Sequence, residues 1–555
     1  MFRNWILQNF PFLEDDFDAL TDYELFSKMC GYVLEYSKDN EEMKKKIEEF
    51  QTYFDNLDVQ EEINNKLDEM AESGELVEII TEYINLKNLL VFNTVNDLIN
   101  ATNLISGSNV MTLGFYSLND GGNALYKIRE VTNDDTIDGM FIIYINENLV
   151  AELIYDKELN VKQIGCHGDN ETDDSTNIQL AINKLSVTGG TLVFPKSSYL
   201  LSSPLVVPDN NELIVIEGNN SSFNVILNAN STFLTCKSTD NYIRIMINNL
   251  TIINNSSSNL EVNGIEFQKV TERTVLNNVR INKFYNNVSF KNCWNLNINK
   301  LVSINASNDG LHCEDVTNAF TFNSCIFINN EHFNILIAGR GHVFNSCDIS
   351  IYKTNSQNKI LGCHGVSFNG CYYEESNNPI SPILIQASRG VSFNGCYFEA
   401  TSNASNYKLI DVYNSYGISI ISSAFRTITP QDDTGYLIYL REGSTVNLIS
   451  NDFRNSNKVC FVINSQLSVD NNKLEDVTSF ITQENHLYAR ITGNLEFSSE
   501  YENSTLPHKE IVHLTLNSVP TYGSTENRPS GYYIGQTYFN TTTNTLNVYN
   551  GIQWI

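Results

Sequence analysis

The chain has 555 residues, 65 acidic and 35 basic, giving a formal net charge of −30. A surface this acidic, with no block of Lys and Arg to offset it, repels free nucleic acid and argues against a nucleic-acid-binding role. Only 18% of residues are charged and 41% are apolar, with 28 Tyr, 30 Phe and only 10 Pro; this excludes a disordered acidic tail and points to a β-rich, turn-rich body.

The first residues, MFRNWILQNFPFLEDDFDAL, lack a basic segment followed by an apolar run, so no signal peptide is expected. No run of 18 apolar residues occurs, so membrane insertion is not expected either. The eleven cysteines lack a C-x-x-C pair and are odd in number, which fits neither a disulfide framework nor a zinc ribbon. No metal or other cofactor is expected. Residues 1–90 read as a helical stem. Met43, Ile47, Phe50, Phe54 and Leu57 are spaced 4-3-4-3, an a/d stripe. A self-associating stem satisfies that stripe, and so does a helical hairpin that buries it on itself. Residues 91–160 change character: alternation in Ala124–Ile128 and the apolar run Phe141–Ile145 predict a small β module.

Residues 161–490 are dominated by a repeated phrase. Ser289-Phe290-Lys291-Asn292-Cys293 is followed by Thr321-Phe322-Asn323-Ser324-Cys325 and Val343-Phe344-Asn345-Ser346-Cys347. Ser367-Phe368-Asn369-Gly370-Cys371 and Ser392-Phe393-Asn394-Gly395-Cys396 complete the series. The cysteines are 32, 22, 24 and 25 residues apart. A period of 20 to 30 residues, with short strands and Asn or Gly turns, predicts a parallel β-helix of roughly 10 to 13 coils. A leucine-rich repeat would need a Leu framework and a helix in each repeat, and neither is present. The repeated cysteines are expected to form an internal stack of small apolar side chains. The Asn after each Phe is expected to form an amide ladder or hold a turn. Residues 491–555 read as a C-terminal β module.

The opening of this region runs from Gly165-Cys166-His167-Gly168-Asp169 through Asp173-Asp174-Ser175-Thr176 to Ile178 and Ile182, then Gly189-Gly190-Thr191-Leu192-Val193-Phe194-Pro195 and Tyr199-Leu200. In order and spacing it resembles the start of the pectate-lyase-like superfamily. The resemblance implies a mainly-β, right-handed parallel β-helix whose first helix caps the open end, with Asp174 and Thr176 suited to the helix N-cap. It also implies that Cys166-His167 and Asp173-Asp174 are structural. Gly535-Gln536, Tyr538-Phe539, Val548-Tyr549, Asn550-Gly551 and Trp554 resemble a hairpin module found at the ends of bacteriophage tail fibres. Residues 58–71 resemble the helical stems of phage tail proteins. Together these resemblances imply a phage tailspike or appendage: a homotrimer in the virion tail, assembled in the host cytoplasm and attached to tail or neck proteins through the stem. Its implied partner is a host cell-surface polysaccharide or teichoic acid.

Tailspikes of this shape bind glycans and often cleave them. Hydrolysis needs two carboxylates about 5–5.5 Å apart for retention, or about 6.5–9.5 Å for inversion. Glu374 and Glu399 each lie three residues past a ladder cysteine and are expected on adjacent coils, with Asp348 one coil earlier. Tyr372, Tyr373 and Tyr397 beside them are expected to stack on sugar rings. A second set, Asp309 with Glu331, His342 and His364, partly resembles the catalytic series of polygalacturonase-type glycoside hydrolases. There, however, Glu331-His332 replaces a paired aspartate, and the R-x-K that should follow is absent. Glycan hydrolysis is the expected activity, and non-catalytic receptor binding or a structural tail role is the alternative. A metal-dependent lyase is less well supported, because no cluster of Asp accompanies Arg340 or Arg389.

Overall fold

The computed structural model describes residues 90–484, apart from 210–211, 239–242, 272–274, 315, 376–380, 401–405 and 428–434, and short stretches between 488 and 553. The stem stripe from Met43 to Leu57 and residues 58–71 lie outside the described residues. The chain divides into two compact units: residues up to His167 together with Leu192–Pro195, and Gly168–Thr191 together with Lys196 onward.

The first unit carries a five-stranded sheet. Its elements are β1 (Leu90–Phe92), α1 (Val95–Ile99), β2 (Asn109–Thr112), β3 (Ala124–Glu130), β4 (Ile142–Tyr144) and β5 (Leu149–Ile154), and the strand order is β1-β2-β3-β5-β4. Only the β1–β2 pair is parallel. Alternation in β3 turns Ala124, Tyr126 and Ile128 inward, and Thr94 with Asp97 closes a capping box on α1. Cys166 is buried, and His167 stacks on Tyr116 at 4.3 Å.

The second unit is a right-handed parallel β-solenoid. Its helix α2 (Ser175–Thr188) buries Ile178, Ile182 and Leu185 against the strands Leu205–Val207 and Ile214–Val225. The cap differs in detail from expectation. Asp174 occupies the N-cap position, but its carboxylate accepts the Gly168 N–H rather than a helix N–H. Asp173 accepts the Ser175 N–H instead, and Thr176 is exposed. Asp174 is buried and committed to the preceding turn, so the free N–H falls to its neighbour.

Three parallel sheets run along the solenoid. The asparagine sheet includes Thr321–Asn323, Val343–Asn345, His364–Asn369 and Arg389–Asn394. The tyrosine sheet includes Tyr372–Glu375, Tyr397–Ala400 and Ala424–Thr427. The aliphatic sheet includes Phe333–Ile337, Gln357–Leu361, Ile383–Gln386, Lys408–Tyr413 and Tyr436–Arg441. With a two-residue period, alternate side chains enter the core and stack on the same position one coil away. Phe322, Phe344, Phe368 and Phe393 stack at 4.4, 4.8 and 4.9 Å. Tyr373, Phe398, Phe425 and Phe453 stack at 4.9, 4.5 and 4.7 Å.

The repeated phrase is explained by the corner between the asparagine and tyrosine sheets. Ser324, Ser346, Gly370, Gly395, Ser422, Ser450 and Asn471 all turn there with φ between 48° and 59°. That left-handed conformation favours Gly and Asn. The next side chain in each coil meets a backbone carbonyl of the previous coil. Cys347 Sγ donates to Phe322 O, Cys371 Sγ to Phe344 O and Cys396 Sγ to Phe368 O. Ser423, Asn451 and Asn472 take over the same duty in later coils. The position therefore selects a small buried donor, and Cys is one solution. Outside, an amide ladder joins Asn299, Asn323, Asn345, Asn369 and Asn394 through Nδ2–H···Oδ1 bonds of 2.8–3.0 Å.

One member of the expected series sits elsewhere. Phe290 lies on the aliphatic sheet, in register with Phe267 and Cys313, and Cys293, just past that strand, donates its Sγ–H to Phe267 O there rather than joining the Cys325–Cys396 column. The 32-residue gap, against 22 to 25 for the rest, is the trace this change of sheet leaves in the sequence. Near the C-terminus, Thr537–Asn540 and Thr545–Val548 pair antiparallel.

Candidate functional site

The tyrosine sheet presents the carboxylates. Parallel pairing sets Tyr372 opposite Tyr397 and Glu374 opposite Glu399, and the alternation places all four on the outer face. Successive coils are about 4.8 Å apart, which suits a closely spaced carboxylate pair. The Tyr372 and Tyr397 rings lie parallel, 5.4 Å apart. Asp348 is in register with Tyr372 one coil earlier.

Hydroxyls hold these acids. Glu374 Oε2 accepts from Tyr352 Oη at 2.8 Å and from Tyr372 Oη at 3.1 Å. Glu399 Oε2 accepts from Tyr397 Oη at 3.0 Å. Asp348 accepts from Ser350 Oγ, which in turn accepts the Glu374 N–H. Partial burial, with the nearby Glu374 charge, pushes the Asp348 carboxyl above the usual range. Burial and the bonded Glu374 carboxylate raise the Tyr352 phenol to about 12. Tyr352 and Ser350 were not singled out from the sequence, yet they follow from the period of two: they continue the outward series Asp348, Ser350, Tyr352 one coil before Tyr372 and Glu374. Glu399 is followed in its column by Arg426.

Tyr373 does not belong to this surface. It is 3% exposed and stacks on Phe398 in the core, and burial drives its phenol well above the ordinary value. Adjacent residues of a strand face opposite ways, so an outward Tyr372 requires an inward Tyr373.

The second set assembles differently from expectation. Asp309, 1% exposed, bonds His312 Nδ1 through one oxygen and His332 Nδ1, at 3.1 Å, through the other. The second oxygen also accepts the Phe333 N–H. His312 Nε2 reaches Glu314 Oε1 at 2.7 Å. Burial opposes a charge on His312, but its bonds to Asp309 and Glu314 outweigh this and raise its pKa above the ordinary value. Gly310 permits the close packing, since a Cβ there would stand 2.4 Å from Asn330 Nδ2. Glu331 turns away and pairs with Lys353 at 2.8 Å. His342 is fully buried, edge-on to Phe320, and burial lowers its pKa to about 4. A neutral, enclosed imidazole cannot touch a substrate, so His342 leaves the expected binding set. His364 is exposed, at the corner between the aliphatic and asparagine sheets, in register with Arg340 and Arg389. Among the described residues no group of three or more His, Cys, Asp or Glu is disposed to hold a metal ion, and no helix is long and apolar enough to cross a membrane.

Residues 159–375 match the rhamnogalacturonase A/epimerase, pectate lyase-like family. No curated protein matches the chain. Among solved structures, the chain is similar to the Acinetobacter phage vb_AbaP_AS12 gp42 tailspike, with 13% identity, a TM-score of 0.55, and coverage of 83% of this chain and 86% of that one. It is also similar to tailspike protein gp49 of Acinetobacter baumannii bacteriophage Fri1, described as a capsular polysaccharide depolymerase. There the identity is 13% and the TM-score 0.47, over 73% of this chain and 75% of the other. The chain thus contains a pectate-lyase-like β-helix domain that structurally resembles phage tailspikes.

Proposed function

We propose that the protein is a phage tailspike or appendage that binds a host cell-surface glycan and hydrolyses it on the outer face of the tyrosine sheet. The observation that carries this reading is the neighbourhood of Glu374. It is a carboxylate held by two tyrosine hydroxyls, with Asp348 one coil before it and Glu399 one coil after. A carboxyl group that keeps its proton above the usual range, with a second carboxylate on the neighbouring coil, is an arrangement suited to acid–base cleavage of a glycosidic bond. Asp348, whose acid form is favoured, donates its proton to the leaving oxygen. Glu374 acts from the neighbouring coil as the charged partner, attacking the anomeric carbon or activating a water. Glu399, with the stacked Tyr372 and Tyr397, extends the surface for sugar rings along the coils. Residues 1–90 serve as the attachment stem of a homotrimer, a role supported by the a/d stripe; sedimentation would then report about 188 kDa, three times the 62.8 kDa chain.

The test is incubation of the full chain with purified host wall polysaccharide or teichoic acid, followed by reducing-end and mass analysis across a pH series. Cleavage is expected to fall as pH rises through the raised Asp348 pKa, because the proton donor is lost. Binding of a host glycan without cleavage at any pH would leave a receptor-binding spike and remove the hydrolytic role.

A further inference from the structure

The corner between the aliphatic and asparagine sheets carries a column of outward residues at which each coil begins its asparagine-sheet strand. In register these are Trp294, Asn318, Arg340, His364, Arg389 and Tyr416. Arg340, His364 and Arg389 are exposed, and Tyr416 is 43% exposed with the Arg389 guanidinium 6.0 Å from its ring centroid. The fold does not demand cations there, since Trp, Asn and Tyr occupy the same position in other coils. Placing like charges along one column is unfavourable, so Arg340 and Arg389 gain nothing from each other. Two other arginines of the solenoid are neutralised: Arg441 pairs with Asp411, and Arg454 with Asp452 and Glu475. Among the described residues no carboxylate is within ion-pair distance of Arg340 or Arg389. In a chain of net charge −30, two arginines without an ion pair and an exposed histidine between them share this one column.

The strip is also bare on one flank. The next residue in successive coils is Gly341, Gly365, Gly390 and Gly417, with φ of 66°, 71°, 63° and 64°. A Cβ on Gly365 would meet nothing within 4 Å. The guanidinium groups therefore stand beside open backbone, accessible to a chain lying along the corner.

We infer that this corner is a second binding strip, taking a linear anionic glycan that runs across the coils. Arg340 and Arg389 stand two coils, about 9.6 Å, apart and each grips a carboxylate or phosphodiester group of the chain, the guanidinium offering a planar fork of donors. His364 lies between them, and Tyr416 and the half-buried Trp294 receive sugar rings at the two ends. The positions repeat about every 4.8 Å. A nucleic-acid strand, whose charge is dense, meets the stronger repulsion from this acidic chain. The strip lies across the coil from the tyrosine sheet and does not depend on hydrolysis there.

The experiment measures binding of the full-length protein to polygalacturonate, poly(glycerol phosphate), neutral dextran and oligothymidylate at low and moderate salt. Binding of at least one of the two anionic glycans is expected, weakening with salt, with little for dextran. The glycan bound identifies whether carboxylate or phosphodiester is the natural group. The Arg340→Gln/Arg389→Gln variant should lose at least about tenfold in affinity, following the loss of charge-assisted bonds. Arg340→Lys/Arg389→Lys should fall between, since charge is kept and the fork is lost. His364→Ala gives an independent weakening that does not require changing either arginine. Equal binding by all variants, no binding of either anionic glycan, or a preference for oligothymidylate would overturn the proposal.

Discussion

Two groups of acids on one solenoid have opposite surroundings. On the tyrosine sheet, Glu374 faces outward and is held by neutral phenol hydroxyls from Tyr352 and Tyr372. Near the start of the aliphatic sheet, Asp309 is enclosed and held by two imidazoles and a backbone N–H. Hydroxyl donors orient a carboxylate and leave its charge uncompensated, available to a developing positive centre on a sugar. Imidazole donors satisfy the charge and lock the acid into the structure. Both sets were candidates for chemistry from their residue types alone; their partners separate a surface that can act from a cluster that braces the fold.

Substitutions at the two sites should therefore diverge, most widely in rate. Glu374→Gln or Asp348→Asn should lower glycan cleavage by at least about 10², the usual worth of positioned proton transfer. Asp309→Asn should leave cleavage within a few-fold of the parent, measured on the same glycan.

Stability should show the reverse pattern. Asp309→Asn keeps one acceptor oxygen but replaces the other, so one of the two imidazoles loses its buried acceptor, and it should cost about 1–3 kcal/mol in denaturant unfolding. Glu374→Gln, on the outer face, should stay within about 0.5 kcal/mol.

A pH series sharpens the contrast further. The pKa of His312 is raised in the folded chain, so its contribution to stability is complete below its unfolded pKa, near 6.5, and is lost as pH rises through the higher folded value. Asp309→Asn should flatten that part of the stability profile, while Glu374→Gln should leave it unchanged. Asp348 has a raised pKa and the opposite charge type, so ionising it costs stability as pH rises; Asp348→Asn should remove that cost, a smaller gain visible at neutral pH. The smallest effect expected on glycan binding is that of Tyr397→Phe, which deletes one hydroxyl from Glu399 and should weaken binding by about 0.5–1.5 kcal/mol.

Much of the solenoid was legible because its constraints recur every coil. The F-N-[S/G]-C phrase encodes an inward ring, an outward amide, a left-handed corner and a small buried donor, and each appears in the structure at Phe368, Asn369, Gly370 and Cys371. The same offset from Cys371 and Cys396 brought Glu374 and Glu399 into register. Errors arose where one coil departs from the next. Phe290 repeats the phrase on a different sheet, because a local pattern does not state which of three faces it lies on. Tyr373 was grouped with Tyr372 by adjacency, though strand alternation separates them. His342 was placed by its spacing within a borrowed motif, whereas its own strand sends it inward beside Phe320. Tyr352 lay hidden because its partner Glu374 is 22 residues away, in the next coil.

The account's central claim is that the outer face of the tyrosine sheet cuts glycan while the Asp309 cluster does not. Its most direct test measures adsorption and cleavage together, on one purified host glycan, for the parent, Glu374→Gln and Asp309→Asn. The account predicts that all three adsorb, that the parent and Asp309→Asn release fragments at comparable rates, and that Glu374→Gln releases them at least about 10² more slowly. Fragment release by Glu374→Gln at the parent rate, or its loss in Asp309→Asn alone, would contradict it.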